Sequence, residues 1–309
     1  MSDRPSKLFV SIAILGGILA VSTASIFIRF AQREAPSLVV AAFRLTLASL
    51  ILAPLALTRY RGELRALTRR ELLLGLLSGF FLALHFATWI SSLEYTTVAS
   101  SVVLVTTTPL WVALLSPLIL REANSKTAIL GMLLALLGGA IVGLSDSCAW
   151  QNGLVCPPLS TFLHGKAFFG DFLALCGAWM AAGYILIGRR LRAKMSLISY
   201  IFVVYGMAAI VLLGILGLSG EHAFGYAPST YLWLLLLALV PQLLGHSTFN
   251  WALRYLPASL VSVTLLGEPI GSTILAYFIL SESPTLLKIA GAVLILAGIY
   301  VTSLPQEKK

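Results

Sequence analysis

Residues 264–278 read TLLGEPIGSTILAYF. In this run Glu268 and Pro269 stand alone among apolar, small and hydroxylated residues. A carboxylate and a helix-breaker at the centre of such a segment make sense only if the segment is enclosed. The composition says by what. Hydrophobic residues make up 59% of the 309-residue chain and charged residues 11%, with a mean hydropathy of +0.95. A soluble domain carries about 25% charged residues. There is too little polar surface here to face water, so the chain must be solvated by lipid.

A helical span needs roughly 20 mostly apolar residues. Ten such runs are present, at about 8–30, 37–57, 72–93, 100–120, 127–145, 168–188, 197–218, 229–251, 258–280 and 286–304. Period-2 alternation is absent, which excludes a membrane β-barrel. The first run is too long for a cleaved signal and reads as a retained span. The expected fold is therefore an all-α polytopic membrane protein of ten transmembrane helices.

The net charge of +9 is a topology signal. With the N-terminus cytoplasmic, sixteen of the 21 Lys and Arg fall in cytoplasmic links. Arg29, Arg33, Lys166 and Lys288 fall outside, and Arg44 lies within a span. This asymmetry obeys the positive-inside rule. It places both termini in the cytoplasm of a multi-pass inner-membrane protein and argues against a nucleic-acid partner. The long outer link at 146–167 holds Cys148 and Cys156, which either form a disulfide on an oxidising face or stand as two thiols. Cys176 falls in the sixth span, as a core residue.

The chain repeats itself. Residues 85–145 lie over 245–305 at a constant offset of 160, with fifteen identities. Tyr95 falls on Tyr255, Pro109 on Pro269, Glu122 on Glu282, Gly131 on Gly291 and Gly138 on Gly298. The expected organisation is a first five-helix repeat over 1–145, an extracytoplasmic loop over 146–167 and a second repeat over 168–309. Five spans is an odd number, so the second repeat enters the membrane upside down. Inverted repeats around a central cavity are an arrangement of carriers.

Three stretches, YTTVASSVVLVTTTPLWVALLSPLILRE, GDFLALCGAWMAAGYILIGRRL and YLPASLVSVTLLGEPIGSTILAYFILSESPTLLKIAGAVLILAG, carry a family resemblance. The pattern is a proline in the fourth and ninth spans, a Glu shortly after each, and a Gly-rich span following. The chain resembles the EamA-type members of the drug/metabolite transporter superfamily over about residues 10–304. The resemblance implies ten spans, two inverted repeats, a central cavity and carriage of metabolites, amino acids or drugs, often outward. The first span, LGGILAVSTASIFIRF, lacks a tryptophan common in the family.

Arg44 and Glu268 are the charged residues placed well inside predicted spans, and such residues usually face a cavity or a partner. Pro269 removes a backbone donor and clashes with the preceding turn, freeing carbonyls near 265. Pro109 and Pro269 are thus candidate gating positions. Glu268 beside the second reads either as a proton or substrate group in the cavity or as a structural acceptor holding the break together; the sharing of this Glu-Pro pair across the family favours mechanics. Arg44 has three readings: a substrate carboxylate, a pair with Glu268, or outward snorkelling. Gln242, His246 and Asn250 are spaced i, i+4, i+8 and share a helix face. In the third span His85, Trp89 and Ser92 do the same. These polar stripes suit either a substrate-binding cavity or helix–helix hydrogen bonding. Trp179 and Tyr184 are candidate aromatic walls, and Thr106, Thr107 and Thr108 are the uncharged counterpart of the second gate.

HExxH, P-loop, GxSxG and CxxC motifs are absent, so no enzyme, cofactor or metal is expected. The function expected is secondary transport of small organic solutes, an exporter working by alternating access with possible proton coupling. The alternatives are a facilitative channel-like permease and an intramembrane enzyme or lipid-handling protein. Carriers of phosphorylated cargo want several buried cations, and Arg44 alone is expected there.

Overall fold

A bilayer offers no hydrogen bonds, so each spanning backbone must satisfy itself as helix, and the ends must be capped. The computed structural model describes residues 5–119, 126–145, 149–150, 154–155, 164–256, 261, 264–265 and 267–303. Cys148 and Cys156, and with them the disulfide expectation, lie outside the described residues, as does Glu122.

In the first half α1 is Lys7–Ser22, α2 Ala24–Ala31, α3 Ser37–Arg59, α4 Arg61–Ala66, α5 Arg69–Tyr95, α6 Val98–Val105, α7 Thr108–Ile119 and α8 Lys126–Ser145. In the second half α9 is Lys166–Arg192, α10 Leu197–Ser219, α11 Pro228–Leu237, α12 Ser247–Ala252, α13 Gly267–Leu280 and α14 Leu286–Ser303. A two-residue antiparallel ladder, Ala149–Trp150 with Leu154–Val155, lies in the long link. Helix starts carry the expected chemistry. Ser6, Thr97 and Ser196 each accept an N–H from their own first turn. Thr68 and Glu71 form a capping box, and Gly220 closes α10 in the left-handed conformation at φ 74°.

Ten spans are expected from the sequence. Among the described residues seven helices are long and apolar enough to cross a membrane, Leu8–Ala31 and Val98–Leu115 each counting as one. Three further apolar stretches are shorter: Ile129–Val142, Gly267–Leu280 and Leu286–Gly298. Two of the expected spans are interrupted where their prolines stand. The fourth span is broken at Thr106–Thr107 between α6 and α7. In the ninth, Leu265 is a turn residue and α13 begins at Gly267, so Pro269 stands in the first turn of that helix, where a missing N–H costs little. Pro109 occupies the same place at the start of α7.

The eighth position holds another departure. Between α11 and α12 the chain runs as a nine-residue π-helix, Ala238–His246, around Pro241. The wider ladder accommodates a residue with no donor, and π segments are frequent at functional sites.

The offset of 160 governs more than sequence. Ser37–Arg59 and Leu197–Ser219 begin and end 160 residues apart. Packing is reciprocal at the same offset. A Cβ on Gly17 would meet Thr248 and Phe249; on Gly177 it would meet Thr88 and Trp89. A Cβ on Gly138 would lie 2.6 Å from the Gly291 carbonyl, and on Gly298 2.5 Å from that of Gly131. These last pairs also show that α8 and α14 run antiparallel, joined by backbone approach that only glycine permits, as membrane interfaces favour.

Candidate functional site

The break before α7, the break before α13, the middle of α5 and α9, and the π segment with α12 surround one cavity of about 60 Å³. His85 and Trp89 come to it from α5, Tyr184 from α9, and Pro109 with Thr106 and Thr108 from the α6–α7 break. His246 and Asn250 come from the π segment and α12, and Glu268 from the start of α13. Most of the predicted binding residues and one of the two predicted gating prolines therefore converge. Pro269 is buried beside Glu268 but lines a separate crevice with Val103 and Ile270.

Inside the cavity wall the polar groups are fixed by specific bonds. His85 Nδ1–H donates to the Gly177 carbonyl at 2.9 Å, and a Cβ on Gly177 would press on Trp89, Val105 and Thr88. The ring stacks on Trp89 with centroids 5.9 Å apart and lies 6.4 Å from His246. Tyr184 O–H donates to Asn250 Oδ1 at 2.7 Å, and Asn250 Nδ2 donates to the His246 carbonyl at 2.9 Å. Ser92, expected beside His85, bonds Ser101 Oγ instead and ties α5 to α6. Glu268 is 9% exposed. It sits in the first turn of α13, where the helix dipole favours a negative charge, and its N–H donates to the Leu265 carbonyl at 3.0 Å.

Arg44 and Gln242 stand behind this wall. Arg44 is fully buried, which is at odds with snorkelling. Its Nε donates to Gln242 Oε1 at 2.8 Å, and no carboxylate of the described residues lies within ion-pairing reach of it. The guanidinium carbon rests 4.1 Å over the Phe86 ring and 5.9 Å from that of Trp89. Phe86 gives no sequence signal beyond apolarity, so its cation–π role was not readable there. The π register explains the split stripe: Gln242 turns toward α3 while His246 and Asn250 turn toward the cavity. Trp179 faces away, edge-on to Trp111 at 5.3 Å, in an apolar crevice of about 470 Å³ where few polar groups gather. Cys176 is half buried.

Charged residues also close one end of the bundle. Arg29 Nη2 lies 3.2 Å from Glu282 Oε1 and donates to the Thr96 carbonyl at 2.9 Å. Glu282 Oε2 accepts the Val98 N–H at 2.8 Å. Lys288 Nζ donates to Thr97 Oγ1 at 2.8 Å, and Thr96 Oγ1 to Asp171 Oδ1 at 3.0 Å. At the other end of α9, about 27 Å away by helical rise, Arg189 donates to the carbonyls of Leu256 at 2.6 Å and Leu253 at 3.2 Å. Arg189 and Leu256 are the residues 160 beyond Arg29 and Thr96. Asp171 and Arg192 are also buried, so buried charge is not confined to Arg44 and Glu268.

The family model described as the EamA-like transporter family matches residues 8–144 and again 168–304. An uncharacterized transporter of Archaeoglobus fulgidus is 24% identical over 284 residues, covering 92% of this chain and 93% of that one. The uncharacterized transporter YetK of Bacillus subtilis is 24% identical over 306 residues, covering 98% and 87%. A solved structure titled "Crystal structure of protein" superposes with a TM-score of 0.65 at 19% identity, covering 96% of each chain, and supports the fold.

Proposed function

Because the chain belongs to the EamA-like transporter family, and so is a membrane transporter, we propose that it is a secondary carrier working by alternating access. The observation that carries this reading is the reciprocal packing. Helices 160 residues apart occupy matching positions, and the matched pair α8 and α14 run antiparallel. That relation supports ten spans in two inverted five-helix repeats. The two repeats then exchange conformations around the cavity between them.

In this state the Arg29–Glu282 cluster draws together α2, the α5–α6 turn, α13 and the start of α14. It closes the bundle on the face that charge asymmetry assigns to the outside. The cavity of about 60 Å³ is smaller than the several hundred Å³ typical of a ligand pocket, which fits a state contracted around its site. Solute enters when the Arg189 end parts and leaves when the Arg29 end parts. Glu268 faces the cavity at a helix start, where it can exchange a proton as the two faces alternate. The cargo is a small organic solute moved out across the cytoplasmic membrane, with both termini inside.

The test is counterflow of radiolabelled small metabolites into proteoliposomes. Saturable, trans-stimulated uptake that collapses in Glu268→Gln or Arg44→Gln is expected. Flux that rises linearly with concentration and is unchanged in both variants refutes the carrier.

A further inference from the structure

We infer that Arg44 is the seat for the carboxylate end of the carried solute, an organic monocarboxylate with a compact apolar tail. The inference rests on the carrier reading and deepens it. Arg44 is fully buried, and both Nη1 and Nη2 lack a hydrogen-bond partner. Its Nε is pinned to Gln242, so the fork is held in one orientation. The Phe86 ring beneath it offsets part of the charge but cannot satisfy two guanidinium nitrogens. A buried cation left so is costly. The indole Nε1 of Trp89 is also buried without a partner, and Trp89 reaches the cavity wall.

Three unsatisfied donor nitrogens on neighbouring groups call for an anionic acceptor. A planar carboxylate matches the guanidinium fork with two parallel bonds. The single cation suits a monoanion better than a phosphate. The guanidinium packs on Phe86 at 4.1 Å, and Phe86 meets His246 of the cavity wall edge to face at 5.3 Å. The carboxylate is thus admitted only when these rings part, and its tail is left among Trp89, Tyr184 and the aliphatic wall. Anion binding is thereby coupled to a change of conformation.

The experiment compares matched probes on the full-length protein in detergent: butyrate with butyramide, and phenylacetate with phenylacetamide. A ligand at ten times its Kd raises Tm by about 2 °C in a chain of this size. At least one carboxylate is expected to do so while its amide does not, and Arg44→Gln is expected to erase the difference. Gln242→Glu keeps the test open if Arg44→Gln fails to fold. It supplies an internal carboxylate to the fork, so it is expected to raise Tm without ligand and abolish the carboxylate-specific shift. Equal shifts with acid and amide, no shift with either acid, or a difference that survives Gln242→Glu each overturn the seat. Counterflow of the same four probes separates this from the carrier reading. Counterflow without an Arg44-dependent preference removes the seat and leaves the carrier. The preference without counterflow removes the carrier and leaves the seat.

Discussion

On the proposed carrier reading, Glu282→Gln is expected to open the closed face, and the size of the effect follows from two bonds. The Arg29–Glu282 contact is a single 3.2 Å approach between side chains about a quarter exposed (26% and 25%). After solvent screening it contributes less than about 1 kcal/mol. The 2.8 Å bond from the Val98 N–H survives in the amide but loses its charge, a difference of about 1 kcal/mol. Together these give about 1.5 kcal/mol, or about tenfold in the ratio of closed to open molecules. The assay places a cysteine at Thr106, in the cavity wall, with Cys148, Cys156 and Cys176 replaced. A membrane-impermeant maleimide is applied from the face bearing Arg29. Labelling is expected to accelerate about tenfold in Glu282→Gln. Arg29→Gln is expected to act on the same contact, so the double variant gains little over either single one. Arg189→Gln, at the opposite end, is expected to leave labelling from this face no faster. An unchanged rate in Glu282→Gln, or full additivity with Arg29→Gln, refutes the reasoning.

Other expectations follow from single contacts. Gly138→Ala forces its methyl to within 2.6 Å of the Gly291 carbonyl and lowers Tm, whereas Gly214→Ala meets nothing within 4 Å and raises stability by about 0.5–1 kcal/mol; equal effects in a melting experiment contradict the reciprocal interface. Tyr184→Phe leaves Asn250 Oδ1 without its 2.7 Å donor and costs about 1–3 kcal/mol, read as a fall in Tm with the chain still monodisperse. Glu63, on the short α4, feels burial that raises its pKa, but the hydroxyl and N–H of Ser196 prevail and hold it below the ordinary 4.5. Its folded value is depressed, so its stabilisation is present above 4.5 and is lost as pH falls through the folded value. Glu63→Gln is expected to flatten the acid limb of a Tm-against-pH curve, and an unaltered limb excludes the role.

The sequence carried much of this because lipid simplifies the problem. Apolar length marks the seven helices long enough to cross a membrane among the described residues, and the constant offset pairs Pro109 with Pro269 and Gly131 with Gly291 from sequence alone. His85, Trp89, His246, Asn250 and Glu268 were readable as one cluster around a cavity because polar side chains in lipid have few places to go. Three things were not readable. The π segment depends on how Pro241 is absorbed by its neighbours, so helical spacing placed Gln242 on the same face as His246. The breaks at Thr106–Thr107 and before Gly267 shift both prolines from mid-helix to a helix start. The Arg29–Glu282 contact joins residues 253 apart in segments that read as outer links. Its one signal was arithmetic: Arg29 and Arg189, like Glu122 and Glu282, are 160 apart.

That arithmetic constrains energetics as well as shape. A carrier built from two matched halves must be able to hold either face closed, so no face can be fastened much more tightly than the other. A bias of about 5.5 kcal/mol suffices to move a population from 1:99 to 99:1. Among the described contacts, the Arg29 end has a partly screened ion pair, a charge-assisted amide bond, a bond from Arg29 to the Thr96 carbonyl and hydroxyl contacts. The Arg189 end has two carbonyls as its described partners. A difference of one or two kcal/mol between such ends favours the state seen here without locking it. On the proposed carrier reading, a solute carboxylate that pairs with Arg44 reverses the bias, because it contributes most in whichever arrangement lets Phe86 and His246 part. Weak fastenings at the ends and an unpaired charge near the middle are thus two halves of one requirement.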